Sequence, residues 1–130
     1  MHYNIFLDDI RMPKDVVWVT LPLVEWTIIR NYNDFVKYIT LNGPPSVVTF
    51  DHDLADEHYR PSMYASDGHY NNYYTDGTFK ERTGYDCAKW LVDYCMKKNL
   101  KIPQYTVHSM NPVGKNNIIN YIEGYKKSNE

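Results

Sequence analysis

The sequence predicts an α/β fold: a small, mainly parallel sheet of about four strands with helices packed on it. Three observations carry that expectation. Short apolar, β-branched runs such as Val47-Val48-Thr49-Phe50 stop abruptly at carboxylates or turn residues, as buried strands do. Longer segments place apolar residues at helical spacing, most clearly Ala88, Leu91, Val92 and Cys95. The two kinds of segment alternate, and helices between strands imply parallel pairing with right-handed crossovers.

Tyr3 to Leu7 reads as the first strand, closed by Asp8-Asp9. Pro13 ends any continuation, because proline lacks an N–H and biases its predecessor to extended backbone. Residues 14–23 are apolar but broken by Pro22, and are expected to be irregular. Glu25 to Arg30 reads as the second strand, with no clear helix before it. Asn33 is expected to cap a helix running to about Leu41, with Phe35, Val36 and Ile39 inward. Asn42-Gly43-Pro44-Pro45 stops that helix, and the third strand runs from Pro45 to Phe50. Residues 55–82 lose all periodicity and read as a long loop insertion, with a small hairpin expected around Asp76-Gly77. A helix from Tyr85 to Lys98 and a fourth strand from Tyr105 to His108 follow. The last helix starts near Pro112 or Val113, with Ile118, Ile119, Ile122 and Tyr125 as its apolar side. No internal repeat is visible.

A chain of 130 residues suits a single domain, 1–130, with one core. With 43% hydrophobic and 23% charged residues it is globular rather than disordered. A formal charge of −2 gives no broad basic surface for duplex DNA, although a local basic pocket is compatible with it. Cys87 and Cys95 fall in one helix, about 12 Å apart at 1.5 Å per residue, too far to bridge each other. Unpaired cysteines suit a reducing compartment. No signal pattern opens the chain and no stretch is long enough to span a membrane, so the expected location is cytoplasmic.

The chemistry-bearing residues gather at strand ends. Asp8-Asp9, Asp51-His52-Asp53 and His108-Ser109 all follow strands, and in open α/β sheets ligands collect outside the carboxyl ends. Bunched carboxylates repel one another unless a cation or proton offsets them. Asp8, Asp9 and Asp51 are therefore expected to hold Mg²⁺ or Mn²⁺, hard ions that prefer carboxylate oxygens and bridge to phosphate. The alternative is turn capping. Asp53 is expected to turn away from Asp51 and cap a loop. His52 and His108 are expected to act as general acid and base, since imidazole titrates near neutral pH. Transition-metal ligation and plain structural hydrogen bonding are the alternatives for both.

Ser109, Asn111, Gly114 and Lys115 lead into the last helix, whose free N–H groups suit a phosphate or need only a cap. Thr83 and Asp86 invite the same two readings at the preceding helix. Arg11 and Lys115 are the cations expected nearest a bound phosphate. Tyr59, Tyr64, Tyr70, Tyr73 and Tyr74 either stack a base or pin the long loop to the body, and pinning is the expectation. Trp18, Trp26 and Trp90 read as packing residues, and His2, His58 and His69 as surface or loop residues.

Four short motifs occur in order: Leu7-Asp8-Asp9-Ile10-Arg11-Met12-Pro13, Phe50-Asp51-His52-Asp53-Leu54, Thr83-Gly84-Tyr85-Asp86 and His108-Ser109-Met110-Asn111-Pro112-Val113-Gly114. Together they resemble the cyclic-phosphate-processing receiver-like family, a shortened relative of the flavodoxin-like response-regulator receiver found in bacteria and phages. The resemblance implies that Asp8 and Asp9 match the receiver's acidic pair and Asp51 its acceptor aspartate. It also places Asp86 near the site. Receivers carry a lysine after a fifth strand, and here neither is evident, so a phosphorelay receiver is not expected. Lys115 is the nearest candidate cation, while His52 and His108 are residues a receiver would not need.

The resemblance implies action on cyclic phosphates, in RNA-end repair or nucleotide signalling. The resulting expectation is a metal-dependent phosphoesterase whose partner is a phosphate-containing small molecule or RNA end. Its substrate would be an RNA 2′,3′-cyclic end or a cyclic nucleotide messenger, with water or Asp51 as nucleophile. The competing expectation is a non-catalytic receiver-like module that binds or sequesters a nucleotide or a protein partner.

Overall fold

Four strands pair in parallel in the spatial order β2–β1–β3–β4, with β1 Asn4–Leu7, β2 Thr27–Ile29, β3 Val47–Phe50 and β4 Gln104–Val107. Three helices occur among the described residues: α1 Tyr32–Asn42, α2 Gly84–Lys97 and α3 Pro112–Ser128. The computed structural model describes residues 2–54 and 82–128. The tyrosine-rich segment and the hairpin expected at Asp76-Gly77 lie outside the described residues.

Register decides which face each strand residue joins. Leu7 pairs with Ile29 and with Phe50, and Phe50 with Val107. This row packs with Phe35 and Ile39 of α1, Cys87, Leu91 and Cys95 of α2, and Ile118 and Ile122 of α3. All three helices therefore cover one face, giving a two-layer core. The neighbouring row, Ile28, Phe6, Thr49 and Thr106, alternates to the opposite face. No helix covers that side among the described residues; the long connection between β1 and β2 does, with one 3₁₀ turn at Pro13–Asp15. Phe6 is fully buried there, edge-on to Trp26 at 6.3 Å and stacked on His108 at 4.7 Å. Burying a phenylalanine of this kind contributes about 2–3 kcal/mol.

The first helix starts earlier than expected. Asn31, not Asn33, is its cap: the Asn31 side chain accepts the N–H of Asp34 at 2.8 Å, and Asn33 lies inside the helix. Gly43, at φ 82°, ends the helix in a conformation that glycine adopts without cost.

Two other glycines bring helix starts against the end of β3. Gly84 donates its N–H to the carbonyl of His52 at 2.7 Å. A Cβ on Gly84 would lie 1.7 Å from the Asp51 carbonyl oxygen, which is backbone and cannot yield cheaply. Gly114 sits over the His52 ring, where a Cβ would come within 2.4 Å of Cγ. Gly84→Ala is therefore expected to lower stability by about 1–3 kcal/mol, the range for an overpacked interior. Urea unfolding monitored by circular dichroism checks this; an unchanged midpoint would mean α2 does not dock on Asp51 this closely.

Candidate active site

Asp8, Asp51 and His108 each stand one residue beyond β1, β3 and β4. The sheet ladder reaches them: Asp8 N–H bonds Ile29 O, Asp51 N–H bonds Leu7 O, and His108 N–H bonds Phe50 O. Strand alternation puts all three side chains on the face that carries Phe6, Thr49 and Thr106. All three are buried, and one potential ligand atom from each lies within 4.8 Å of the others.

The two carboxylates sit in different electrostatic environments. Asp8 Oδ1 accepts the N–H groups of Ile10 at 3.0 Å and Arg11 at 2.8 Å, while Oδ2 lies 3.0 Å from His108 Nε2. Burial alone would raise Asp8, but the His108 bond and the two N–H donors overcome it and hold the group at about 2. Asp51 Oδ1 accepts the His52 N–H at 2.9 Å, whereas Oδ2 is buried with no hydrogen-bond partner among the described residues. Burial first, then the charges of Asp8, Asp53 and Asp9, push Asp51 up to about 8 against the pull of Arg11. One carboxylate is thus permanently ionised and the other is poised near neutrality.

Arg11 is the cation of the site. Its Nη1 lies 3.6 Å from Asp8 Oδ2 and 3.9 Å from Asp51 Oδ2, and its guanidinium rests 4.9 Å over the Trp18 ring. Trp18 in turn donates its indole N–H to the His108 carbonyl at 2.7 Å. Arg30 donates to the carbonyls of Asp8 at 3.0 Å and Arg11 at 2.7 Å, which fixes the loop that presents Arg11. The donor set suits a hard divalent cation. Two carboxylates converge, one oxygen is buried without a donor, and one guanidinium at 3.6–3.9 Å is the local positive charge among the described residues.

The geometry rearranges the expected set. Asp9 is half-buried and acts on Asp51 through its charge, but the converging trio takes His108 in its place. His52, adjacent to Asp51 on its strand end, alternates to the helix side. Its ring lies beneath Gly114, with Nδ1 2.9 Å from Asp53 Oδ1. Asp53 is buried against His52, with Asn111 Nδ2 at 3.4 Å, and the loop it is expected to cap lies outside the described residues. Asn111 also accepts the Gly114 N–H at 3.0 Å, and Ser109 accepts the Asn111 N–H at 3.1 Å, so both serve the start of α3.

Asp86 closes a capping box with Thr83, accepting its N–H at 3.1 Å, and lines a separate concavity of about 330 Å³ with Lys89 and Trp90. Lys115 is half-buried in the first turn of α3. Among the described residues, the ion pairs of Asp8 and Asp51 come from Arg11 and His108 and none from Lys115. Thr49, Trp18 and Arg30 adjoin the site, although the sequence places Thr49 and Arg30 only in strands and reads Trp18 only as packing. Thr49 was accessible in principle, two residues before Asp51 and so on its face.

An apolar concavity of about 790 Å³ lies along residues 13–26, lined by Val17, Leu21, Leu23 and Trp26, and contains neither carboxylate. No helix among the described residues is long and apolar enough to cross a membrane.

Comparison with curated proteins and with solved structures found no match. The family description of the cyclic-phosphate processing receiver domain matches residues 3–124, a span that takes in all four strands and the carboxylate site. The order of elements, the two-layer parallel sheet and this match together place the chain in the cyclic-phosphate processing receiver domain family.

Proposed function

We propose that the protein is a metal-dependent phosphoesterase that opens cyclic phosphates. The observation that carries this reading is the buried Oδ2 of Asp51, which has no donor among the described residues and faces Asp8 and Arg11. An ionised buried oxygen left unsatisfied costs free energy that a bound ion returns once the proton has left. Asp8 and Asp51 would hold Mg²⁺ or Mn²⁺, and such an ion, when bound, neutralises developing phosphoryl charge and polarises the phosphorus–oxygen bond.

The chain's own residues supply the rest. Arg11, 24% exposed beside the buried Asp8 and Asp51, meets a phosphate oxygen entering the site. Asp51, ionised once its neighbours' repulsion is offset, takes the proton of an attacking water. As one ester bond of the cyclic phosphate breaks, the departing ribose oxygen needs a proton, and Asp51 returns to it the proton taken from the water, while His108 Nε2–H holds Asp8 in place. The product is a ring-opened phosphomonoester or linear diester. His52, wedged under α3, supports this arrangement rather than moving protons in it.

Incubation with Mg²⁺ or Mn²⁺ and a panel of 2′,3′-cyclic RNA ends and cyclic di- and trinucleotides tests the reading by product mass. One substrate is expected to gain a single water and to be consumed only when the ion is present. Tight binding of an intact substrate would instead establish a sequestering module.

A further inference from the structure

Behind His108 runs a chain of two hydroxyl groups, Thr49 buried and Thr106 half-buried, that the proposed chemistry does not use. Thr106 Oγ1 donates to Thr49 Oγ1 at 2.7 Å, and Thr49 Oγ1 lies 2.9 Å from His108 Nδ1. On the far side of the ring, Nε2 lies 3.0 Å from Asp8 Oδ2. The imidazole is fully buried and stacked at 10° on Phe6, so ring rotation is blocked. Each nitrogen therefore has one partner.

We propose that Thr49, backed by Thr106, is a positioning residue that fixes His108 in the tautomer with its proton on Nε2, aimed at Asp8. The argument is one of donors and acceptors. Asp8 already accepts two backbone N–H groups through Oδ1, as a carboxylate does, so the Oδ2 contact needs a proton on His108 Nε2. Thr49 receives the Thr106 proton and passes its own hydroxyl proton to an acceptor, and His108 Nδ1 is the acceptor within reach. Nδ1 is then unprotonated and Nε2 protonated. The second nitrogen of a functional imidazole is commonly set by such a partner.

This assignment separates two roles that the residue type leaves open. A nitrogen that carries a proton has no lone pair for a cation, so in this tautomer His108 donates a hydrogen bond to Asp8 and ion holding falls to the carboxylates. The catalytic consequence rests on the phosphoesterase reading; the tautomer rests on the hydrogen-bond chain alone.

The test is ¹⁵N NMR of histidine-labelled full-length protein, with His108 assigned by its loss in His108→Gln. The wild type is expected to show His108 Nδ1 as an unprotonated acceptor and Nε2 as protonated. Thr49→Val, close to isosteric but without a donor, is expected to lose that signature, and Thr49→Ser to restore it. Turnover of the cyclic phosphate found above should fall about 10–100-fold in Thr49→Val and return in Thr49→Ser. A protonated Nδ1 in the wild type, or an unchanged signature in Thr49→Val, overturns the proposal. If the wild type turns over no cyclic phosphate, the phosphoesterase reading fails, and the NMR signature still decides the role of Thr49.

Discussion

Asp51→Asn is expected to lower turnover by at least about 10³-fold, the scale of losing a central catalytic group, while making the ion-free protein more stable above pH 8. The two effects share one cause. Unfolded Asp51 ionises at its ordinary value of 3.8, whereas burial and the neighbouring Asp8, Asp53 and Asp9 raise it to about 8 in the fold. Between those values the folded state holds a proton that the unfolded state has released. The group's stabilising contribution is therefore full below pH 3.8 and is lost as pH rises through 8. Above that point the native state carries a buried charge with an unpartnered oxygen. Asparagine carries no charge, and its gain is expected to be about 1–3 kcal/mol at pH 9. Thermal unfolding at pH 5 and pH 9, beside the turnover assay, checks both arms. A variant less stable than wild type at pH 9 would mean that Asp51 is not repelled by its neighbours. Retained turnover would remove Asp51 from the chemistry.

Which features were legible in the sequence follows from how local their causes are. The ends of β1 and β3 could be read because apolar runs stop at Asp8 and Asp51, a local pattern. Period-two alternation then sorts the neighbours of Asp51. Thr49 shares its face, and His52 takes the other. Treating His52 and His108 as equivalent missed that rule, whereas Asp53 does turn aside from the trio, against His52 and Asn111. The partner of Asp53 lies 58 residues away in Asn111, a distance no window spans.

The remaining differences are tertiary. Asn31 and Asn33 are both plausible caps by residue type, and only the bond to Asp34 separates them. The connection between β1 and β2 has no periodicity because it is neither strand nor helix; its Trp18 acquires its role from contacts with Arg11 and His108. Arg30 reads as a strand-end residue, yet it grips two carbonyls of the loop that carries Arg11. Asp86 shows the opposite case. Its motif position suggested the site, but the capping geometry three residues after Thr83 was equally visible in the sequence and is what the fold uses.

The affinity for Mn²⁺ should rise about tenfold per pH unit well below pH 8 and level off above it, about 50-fold between pH 6 and pH 8. The slope follows from the proton on Asp51, which must leave before both carboxylates can face a cation. Asp8, held at about 2, contributes no slope in this range. Calorimetric titration in two buffers of different ionisation enthalpy would read the affinity and the released proton together. One proton should be released per ion at pH 6, and Asp51→Asn should bind weakly without pH dependence. Binding that is strong and flat with pH would place the ion away from Asp51. If the slope is found, ion binding also reverses the alkaline loss of stability, by about 2.7 kcal/mol at an ion concentration 100 times Kd. The burial and the repulsion that leave Asp51 protonated in the empty fold are then what a divalent ion offsets, so folding and ion binding are coupled through a single buried carboxylate.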